Sequence, residues 1–563
     1  MIDGLTPAAI FILGALLTPF LSAWPRKIFI LVLPLLGLFQ LYGINADDQG
    51  VVELLGYTIV TLRIDALSLI FATIFHIAAF ITALYSLHIR DTMQHVAMLV
   101  TAGSVIGAVL AGDYISLFLF WELGSIASVF LIWARRTESA YRAGMRYLLI
   151  QVGSGLLLMF GAILLSRETG SIAFGPLQLG SLASWAIFLG IGIKCAFPFM
   201  HNWLQDAYPE STVTGAVVLV SYTTKLAIYA LARSFAGEDI LIPIGVAMTV
   251  YPVIYAAIDN DFRRVLAYSL NNQLGFMVAA IGLGTELAIN GAVAHAVSNV
   301  LFKGLLFMSI GAVLLRVGTA RVSDLGGLYK SMPWTAGFCL AGAASISALP
   351  LFAGFITKGM ILAAMANEGQ WLVWLVLLFA SVGAYLAVDL KLPYFAFFWQ
   401  DRGLRRQEAP FNMLAAMGVA TAGCVLIGVF PGLLFDRLPF AVTYVPYTTD
   451  HVITQMQLLL FATLAFAVLV RTGIFPPALP SINLDTDWFY RRFCQIVSAR
   501  PARLIADINS FTFSAMRGMW GYAAGLAYRV YGPQGVLART ALTSVTVLWV
   551  AVLLVATLML YYL

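Results

Sequence analysis

Long apolar runs separated by short polar breaks recur along the whole 563-residue chain. With about 20 residues needed for a helix to cross a hydrocarbon core, the pattern predicts about sixteen spans. They fall near 5–23, 28–44, 66–88, 95–111, 114–134, 144–165, 181–200, 211–234, 239–258, 265–284, 288–316, 333–365, 371–398, 411–435, 453–472 and 540–562. Two runs carry an internal break. Pro198 follows Lys194 in the seventh, and Pro350 and Gly354 precede Lys358 in the twelfth. Proline offers no N–H and crowds the preceding turn, so both runs are expected to be discontinuous helices. At membrane depth, broken helices line cavities and ion sites. Two such breaks, roughly 160 residues apart, suggest internal duplication. The alternation in 51–63 predicts a small extramembrane hairpin.

The texture changes after the fifteenth run. Between residues 485 and 532, Arg491, Arg492, Arg500, Arg503, Arg517 and Arg529 mix with Trp488, Phe489, Phe511, Phe513, Trp520 and Tyr522. This is too charged to span and too aromatic for a solvated linker. An amphipathic helix along the membrane face fits it, with a basic juxtamembrane tail as the alternative. The expected organisation is therefore 1–94, N-terminal helices; 95–238 and 239–400, two repeats; 401–475, further core helices; 476–539, a lateral amphipathic segment; and 540–563, a last span.

Charge in the breaks gives an orientation. One set of alternate loops holds Arg26 and Lys27; Arg135, Arg136, Arg142 and Arg146; Arg263 and Arg264; Arg321 and Lys330; Arg402, Arg405 and Arg406. The other set is acidic or neutral, with Asp47, Asp48, Asp113, Glu168, Glu238, Asp239, Glu286, Glu368, Asp436 and Asp450. Basic loops stay cytoplasmic, which predicts an N-terminus outside. Composition agrees with a membrane chain: 61% of residues are hydrophobic and 10% charged, against about 25% charged in soluble domains. The first run lacks a basic n-region and is expected to be retained rather than cleaved. The net charge of +5 sits in loops and points to no nucleic acid.

Ionisable groups inside the apolar runs carry the chemistry. Four of the seven lysines lie there, Lys194, Lys225, Lys303 and Lys358, with Glu122 and His295. Each ammonium at a helix centre costs roughly 2.5–3.5 kcal/mol on insertion scales. Groups kept at that cost are commonly those that move ions, which points to proton or cation movement. A buried carboxylate balanced by a nearby ammonium can change protonation as its partner moves; a structural, protonated Glu122 is the alternative. Lys194 could instead snorkel to the interface. Lys225 has Tyr229 one turn on. His295, Asn299 and Lys303 recur every four residues and share a helix face, a polar stripe suited to proton relay. His76 alone on an apolar helix is expected to be structural. Asp389 and Lys391 are expected to form an interfacial pair, and His201 and Asp206 to hold a loop. Cys195, Cys339, Cys424 and Cys494 are scattered, so neither a disulfide framework nor a metal or iron–sulfur site is expected. There is no dinucleotide or P-loop fingerprint, and no cofactor is expected.

Several segments resemble the antiporter-like membrane subunit family, which includes the A-type and D-type subunits of Mrp-type Na⁺/H⁺ antiporters, the large antiporter-like subunits of complex I, and hydrogenase counterparts. The resemblance covers roughly 60–435. It rests on FWELGS around Glu122, KCAFPFMHNWLQDAYPE from Lys194, TKLAIYALAR from Lys225, DFRRVLAYSLNNQLGFM, LPLFAGFITKG and GGLYKSMP. It implies an all-α polytopic membrane protein with two inverted five-helix repeats, broken seventh and twelfth helices and a lateral helix bracing neighbouring subunits. It also implies that Glu122 and Lys194 act as a coupled pair, that Lys225 passes protons to a hydrated axis, and that His295 and Lys303 continue it to Lys358. Asn299 stands where several relatives have histidine, and Gly359 where some complex I relatives have an acid. With DLKLPYFAFF and LDTDWFYRRF, the chain is similar to proteins of the D-type antiporter class. The expected function is proton translocation in a multi-subunit Na⁺/H⁺ antiporter of a bacterial cytoplasmic membrane, with other membrane subunits as partners. Alternatives are a proton-pumping subunit of a redox complex of the NADH-quinone oxidoreductase or hydrogenase type, the membrane half of an inorganic-carbon uptake complex, and, least of all, a membrane-embedded transferase.

Overall fold

A computed structural model describes residues 6–44, 50–54, 57–476, 479, 483, 485–533, 535 and 543–562. Asp47, Asp48 and parts of the 476–539 segment lie outside the described residues. The chain divides into two compact units, Met1–Asn483 and Leu484–Leu563.

Among its described residues, the regular structure of the first unit is helical apart from one hairpin. Its helices are α1 Pro7–Leu17, α2 Ala23–Gly43, α3 Ala66–Ser86, α4 Thr92–Leu110, α5 Tyr114–Trp133, α6 Glu138–Thr169, α7 Leu182–Cys195, α8 Asn202–Glu210, α9 Val213–Ser234 and α10 Leu241–Ile258. They continue with α11 Phe262–Leu283, α12 Glu286–Val317, α13 Pro333–Ile346, α14 Ala353–Asn367, α15 Trp371–Ala384, the single turn α16 Lys391–Pro393, α17 Phe411–Val429, the short α18 Gly432–Phe435 and α19 Thr449–Arg471. The hairpin pairs β1 Gly50–Leu54 with β2 Tyr57–Leu62, antiparallel. Among the described residues, twelve helices are long and apolar enough to cross a membrane. The run at 265–284 forms α11 but is too polar in its first half to be one of the twelve.

Local sequence explains where helices start and stop. Asp65 and Ser181 each close a capping box with the serine three residues on, and Asp113, Asp261, Thr212 and Thr285 cap α5, α11, α9 and α12. The Asp113 carboxylate also accepts from the Val60 amide of the hairpin at 2.8 Å. Packing between helices depends on small residues. At the α10–α11 crossing, a β-carbon on Gly245 would lie 2.6 Å from the Gly275 carbonyl, and one on Gly275 2.7 Å from the Thr249 amide.

Burial sorts the helices. The apolar window of α9 is wholly buried, whereas that of α19 is 17% buried and presents its apolar side chains outward. Lys225 therefore sits on a helix with no outward face, whereas α5, which carries Glu122, is 56% buried and keeps exposed leucine and isoleucine side chains on its other face.

On the arginine-rich side the loops are knitted by side chains. Arg146 grips Asp206 of α8 through two bonds of 2.6 and 3.0 Å. Arg263 donates to the carbonyls of Pro209, Tyr208 and Ser211 at the end of α8, where a cation also meets the negative end of the helix dipole. The GGLYKSMP segment is held against the following loop. Gly326 and Gly327 both have positive φ, 148° and 69°, and a β-carbon at Gly327 would lie 2.8 Å from Asp401. The Asp401 carboxylate accepts from Arg405 and Lys330 and from the Gly403 amide, and these bonds, Arg405 first, hold it well below the ordinary carboxylate range.

The second unit contains a π-wound turn, Phe489–Phe493, running into the 38-residue helix α20, Cys494–Tyr531, and an apolar helix α21, Thr543–Tyr562. At 1.5 Å per residue α20 is about 57 Å long. Phe511, Phe513, Trp520 and Tyr522 are all exposed.

Candidate functional site

The two breaks expected from proline are present, and they share a backbone signature. Helix α7 ends at Cys195 with Ala196 in the left-handed region, followed by Phe199 in the same region, before α8 begins. Helix α13 ends at Ile346, with Ala348 and Leu351 left-handed, before α14 begins. Such backbone is costly for residues with a β-carbon, so surrounding structure must hold it. At the first break Trp203 does so, its indole N–H donating to the Ile193 carbonyl at 2.9 Å.

Lys194 lies in the last turn of α7 and is buried. Its Nζ donates to Ser125 Oγ at 2.8 Å and the Trp121 carbonyl at 3.3 Å, both on α5, and stands 4.3 Å from the centre of the Trp121 ring. Glu122 follows Trp121 directly. Its carboxylate is half-buried, its Oε1 has no hydrogen-bond partner among the described residues, and it interacts electrostatically with Lys194. Glu122 and Lys194 thus interact through charge without a direct ion pair among the described residues, while the ammonium is held by a hydroxyl, a carbonyl and a ring.

Lys225, at the middle of α9, is fully buried, and its Nζ donates to the Val220 carbonyl at 2.7 Å. Tyr229 does not join it; the phenol donates instead to the Val109 carbonyl at 2.5 Å. The charge of Lys303 on α12 acts on Lys225, and Lys303 Nζ donates to Ser269 Oγ of α11 at 2.5 Å.

His295, two turns before Lys303, bridges two helices. Its Nδ1 lies 2.9 Å from Thr357 Oγ1 on α14, and its Nε2 lies 3.1 Å from Gln273 Oε1 on α11. Gln273 in turn donates to Asn272 at 2.6 Å. Between His295 and Lys303, both side-chain polar atoms of Asn299 and the hydroxyl of Ser298 are buried with no hydrogen-bond partner among the described residues. Lys358, one residue past Thr357, donates to the Ile346 carbonyl at the end of α13, at 2.6 Å, and to Ser381 Oγ of α15 at 3.3 Å.

The six residues singled out by sequence therefore fall into two groups. Glu122 and Lys194 meet across α5 and α7; Lys225, His295, Lys303 and Lys358 gather around α9, α11, α12 and α14. Ser125, Ser269, Gln273 and Thr357, which hold them, were not foreseen. The run Ser269, Asn271, Asn272, Gln273 inside an apolar helix was the available signal.

One expectation is corrected. Asp389 and Lys391 do not form an interfacial pair. Lys391 donates to the carbonyls of Ala256, Ala257 and Asp259, closing the end of α10. Asp389 is buried, and neither carboxylate oxygen has a hydrogen bond among the described residues. His201 packs its ring 4.6 Å from that of Tyr251, and His76 and Asp206 have contacts of their own. His76 Nδ1 lies 2.7 Å from the carbonyl of Ala72, one turn back, with its ring edge-on to Phe11, and Asp206 binds Arg146. Among the described residues no cluster of three or more metal-type ligands occurs.

Fold and site define a multi-pass helical membrane protein with ionisable groups buried across its core. Residues 111–383 match the family model for NADH:quinone oxidoreductase/Mrp antiporter transmembrane proteins. The chain is 30% identical to NADH-quinone oxidoreductase subunit N of Desulforudis audaxviator, covering 59% of this chain and 73% of that one. It is also 30% identical to the A-type chain of the Na(+)/H(+) antiporter of Alkalihalophilus pseudofirmus, covering 75% of this chain. It spans 60% of that relative's length, less than two thirds. A chain of the archaeal membrane-bound sulfane sulfur reductase shares the fold, with a TM-score of 0.71, 20% identity, and coverage of 98% of this chain and 99% of that chain. This chain belongs to the NADH:quinone oxidoreductase/Mrp antiporter transmembrane family.

Proposed function

We propose that the chain is a proton-translocating subunit of a multi-subunit monovalent cation/proton antiporter, with Na⁺ as the cation and other membrane subunits as partners. The observation that carries this reading is the way the buried ammonium groups are held. Lys194, Lys225, Lys303 and Lys358 donate to hydroxyls and main-chain carbonyls, all of which can receive either a charged or a neutral amine. A buried ion pair would instead fix the charge. Protons pass between these amines, Glu122 and His295 through water that meets the buried atoms of Asn299, Ser298 and Thr224, which have no hydrogen-bond partner among the described residues. Charge moved in a partner subunit shifts the Glu122–Lys194 pair and so alters the lysines beyond it. The basic loops face the cytoplasm and the N-terminus lies outside. The shared signature of the two breaks supports reading 95–238 and 239–400 as repeats of one unit.

The relative named as a quinone oxidoreductase subunit supports a second reading, a proton-pumping subunit of a redox complex whose redox centres lie in other chains. The same six residues would act in it. Na⁺-driven proton uptake in everted vesicles containing the whole complex separates the two. Antiport that is lost in Glu122→Gln and Lys194→Ala, with assembly intact, supports the first reading. Retained antiport in both variants rejects these roles, and proton movement that needs an electron donor selects the second.

A further inference from the structure

Asp389 is a buried acid to which the proposed path gives no role. Helix α15 is regular as far as Ala384 and then winds in π-turns over Tyr385–Leu390 and Tyr394–Phe398, with the α-turn Lys391–Pro393 between them. Pro393 accounts for the distortion. It has no N–H to offer the carbonyl four residues back, which is that of Asp389, and its ring crowds that carbonyl. Turns of this kind are frequent at functional sites.

The setting of the side chain is unusual for a structural acid. Asp389 is 2% exposed, and both carboxylate oxygens are buried without a hydrogen bond among the described residues. A structural carboxylate at such depth would be expected to hold several donors. The charged groups acting on it are Lys358 of α14 and Lys303 of α12. Tyr385, one turn before it, feels its charge and bonds to Thr463 of α19. Lys391 is occupied at the end of α10. The turn packs against α10, α11, α13 and α19.

We infer that Asp389 is a second proton-carrying carboxylate, serving Lys303 and Lys358 as Glu122 serves Lys194. This inference rests on the ion-path reading above. In the step, the carboxyl O–H of Asp389 breaks and a new N–H forms on the neutral amine of Lys303 or Lys358, one water relaying the proton. The products are a carboxylate and an ammonium, and no further reactant is needed. Each broken helix would then have an acid facing its lysine.

The test uses everted vesicles carrying the chain with all its partner subunits, comparing Asp389→Asn and Asp389→Glu with Glu122→Gln and with Asp450→Asn as an exposed control. Asp389→Asn is expected to lower cation-driven proton flux by about tenfold or more with assembly unchanged, while Asp389→Glu restores flux with a displaced pH profile. Wild-type flux in Asp389→Asn alongside lost flux in Glu122→Gln overturns the role of Asp389 and leaves the path intact. Wild-type flux in both overturns the path itself. Should Asp389→Asn not accumulate, Asp389→Glu decides: a displaced pH profile supports proton carriage, and an unchanged one rejects it.

Discussion

The carboxylate of Glu122 occupies the space that a β-carbon on Gly155 would need. The acid of α5 and the bare backbone of α6 are therefore one fitted unit, and glycine is required at 155 for packing, since its φ is helical. Two residues earlier, a β-carbon on Gly153 would meet nothing within 4 Å.

That contrast gives the first prediction. Gly155→Val should displace the carboxylate and abolish cation-driven proton flux, with Gly155→Ala intermediate and Gly153→Ala silent. Flux in everted vesicles, normalised to assembled complex, checks it. Equal activity in the three variants would mean that the position of the Glu122 carboxylate is immaterial.

Ser125 supplies the shortest hydrogen bond to the Lys194 ammonium, at 2.8 Å. Ser125→Ala leaves a buried donor short of one partner, a cost of about 1–3 kcal/mol. Flux should fall by about fivefold to a hundredfold, since 1.4 kcal/mol is a factor of ten in an equilibrium, and Ser125→Thr should recover part of it. Flux measured across a range of pH distinguishes a changed amine from a general loss of folding, which would lower the profile without moving it.

His295 is held from two sides, so its partners can be removed separately. Gln273→Leu takes away the Nε2 contact and Thr357→Val the Nδ1 contact. Because both act on one imidazole, their effects should be non-additive: the double variant is expected to transport no worse than His295→Leu. Strictly multiplicative losses in vesicle assays would place these residues on independent routes.

The loop clamp at Asp401 predicts a pH effect away from transport. A carboxylate held below its ordinary value, about 3.9 for aspartate, contributes stability that is present above that value. The contribution is lost as the pH falls below it towards the folded-state value. Its partners Lys330 and Arg405 are well exposed, so salt should weaken the clamp. Asp401→Asn should therefore raise proteolytic nicking of the 399–410 loop at neutral pH and low salt. High salt should narrow the gap between wild type and variant, and it should narrow progressively as the pH is lowered below about 4.

Much of this was legible in the chain. Apolar runs located the helices because a bilayer solvent leaves few alternatives, and Pro198 and Pro350 located both breaks because proline removes a donor wherever it stands. The lysines and Glu122 were legible because charge in an apolar run is expensive. What was hidden depended on which residues of different helices meet. Ser125, Ser269 and Thr357 are ordinary helix residues until a lysine or histidine from elsewhere is placed against them. Asp389 was misread because its neighbour Lys391 is two residues away in sequence, and the π-turn and the end of α10 carry the two side chains to different partners.

The central claim is that buried amines and acids are joined by water between α9, α11 and α12. An experimental density map of the assembled complex, at a resolution that shows ordered water, tests it most directly. The account predicts water bonded to Asn299, Ser298 and Thr224, linking Lys225 to Lys303 and His295. Dry apolar packing around those atoms, with the lysines isolated from one another, would contradict it.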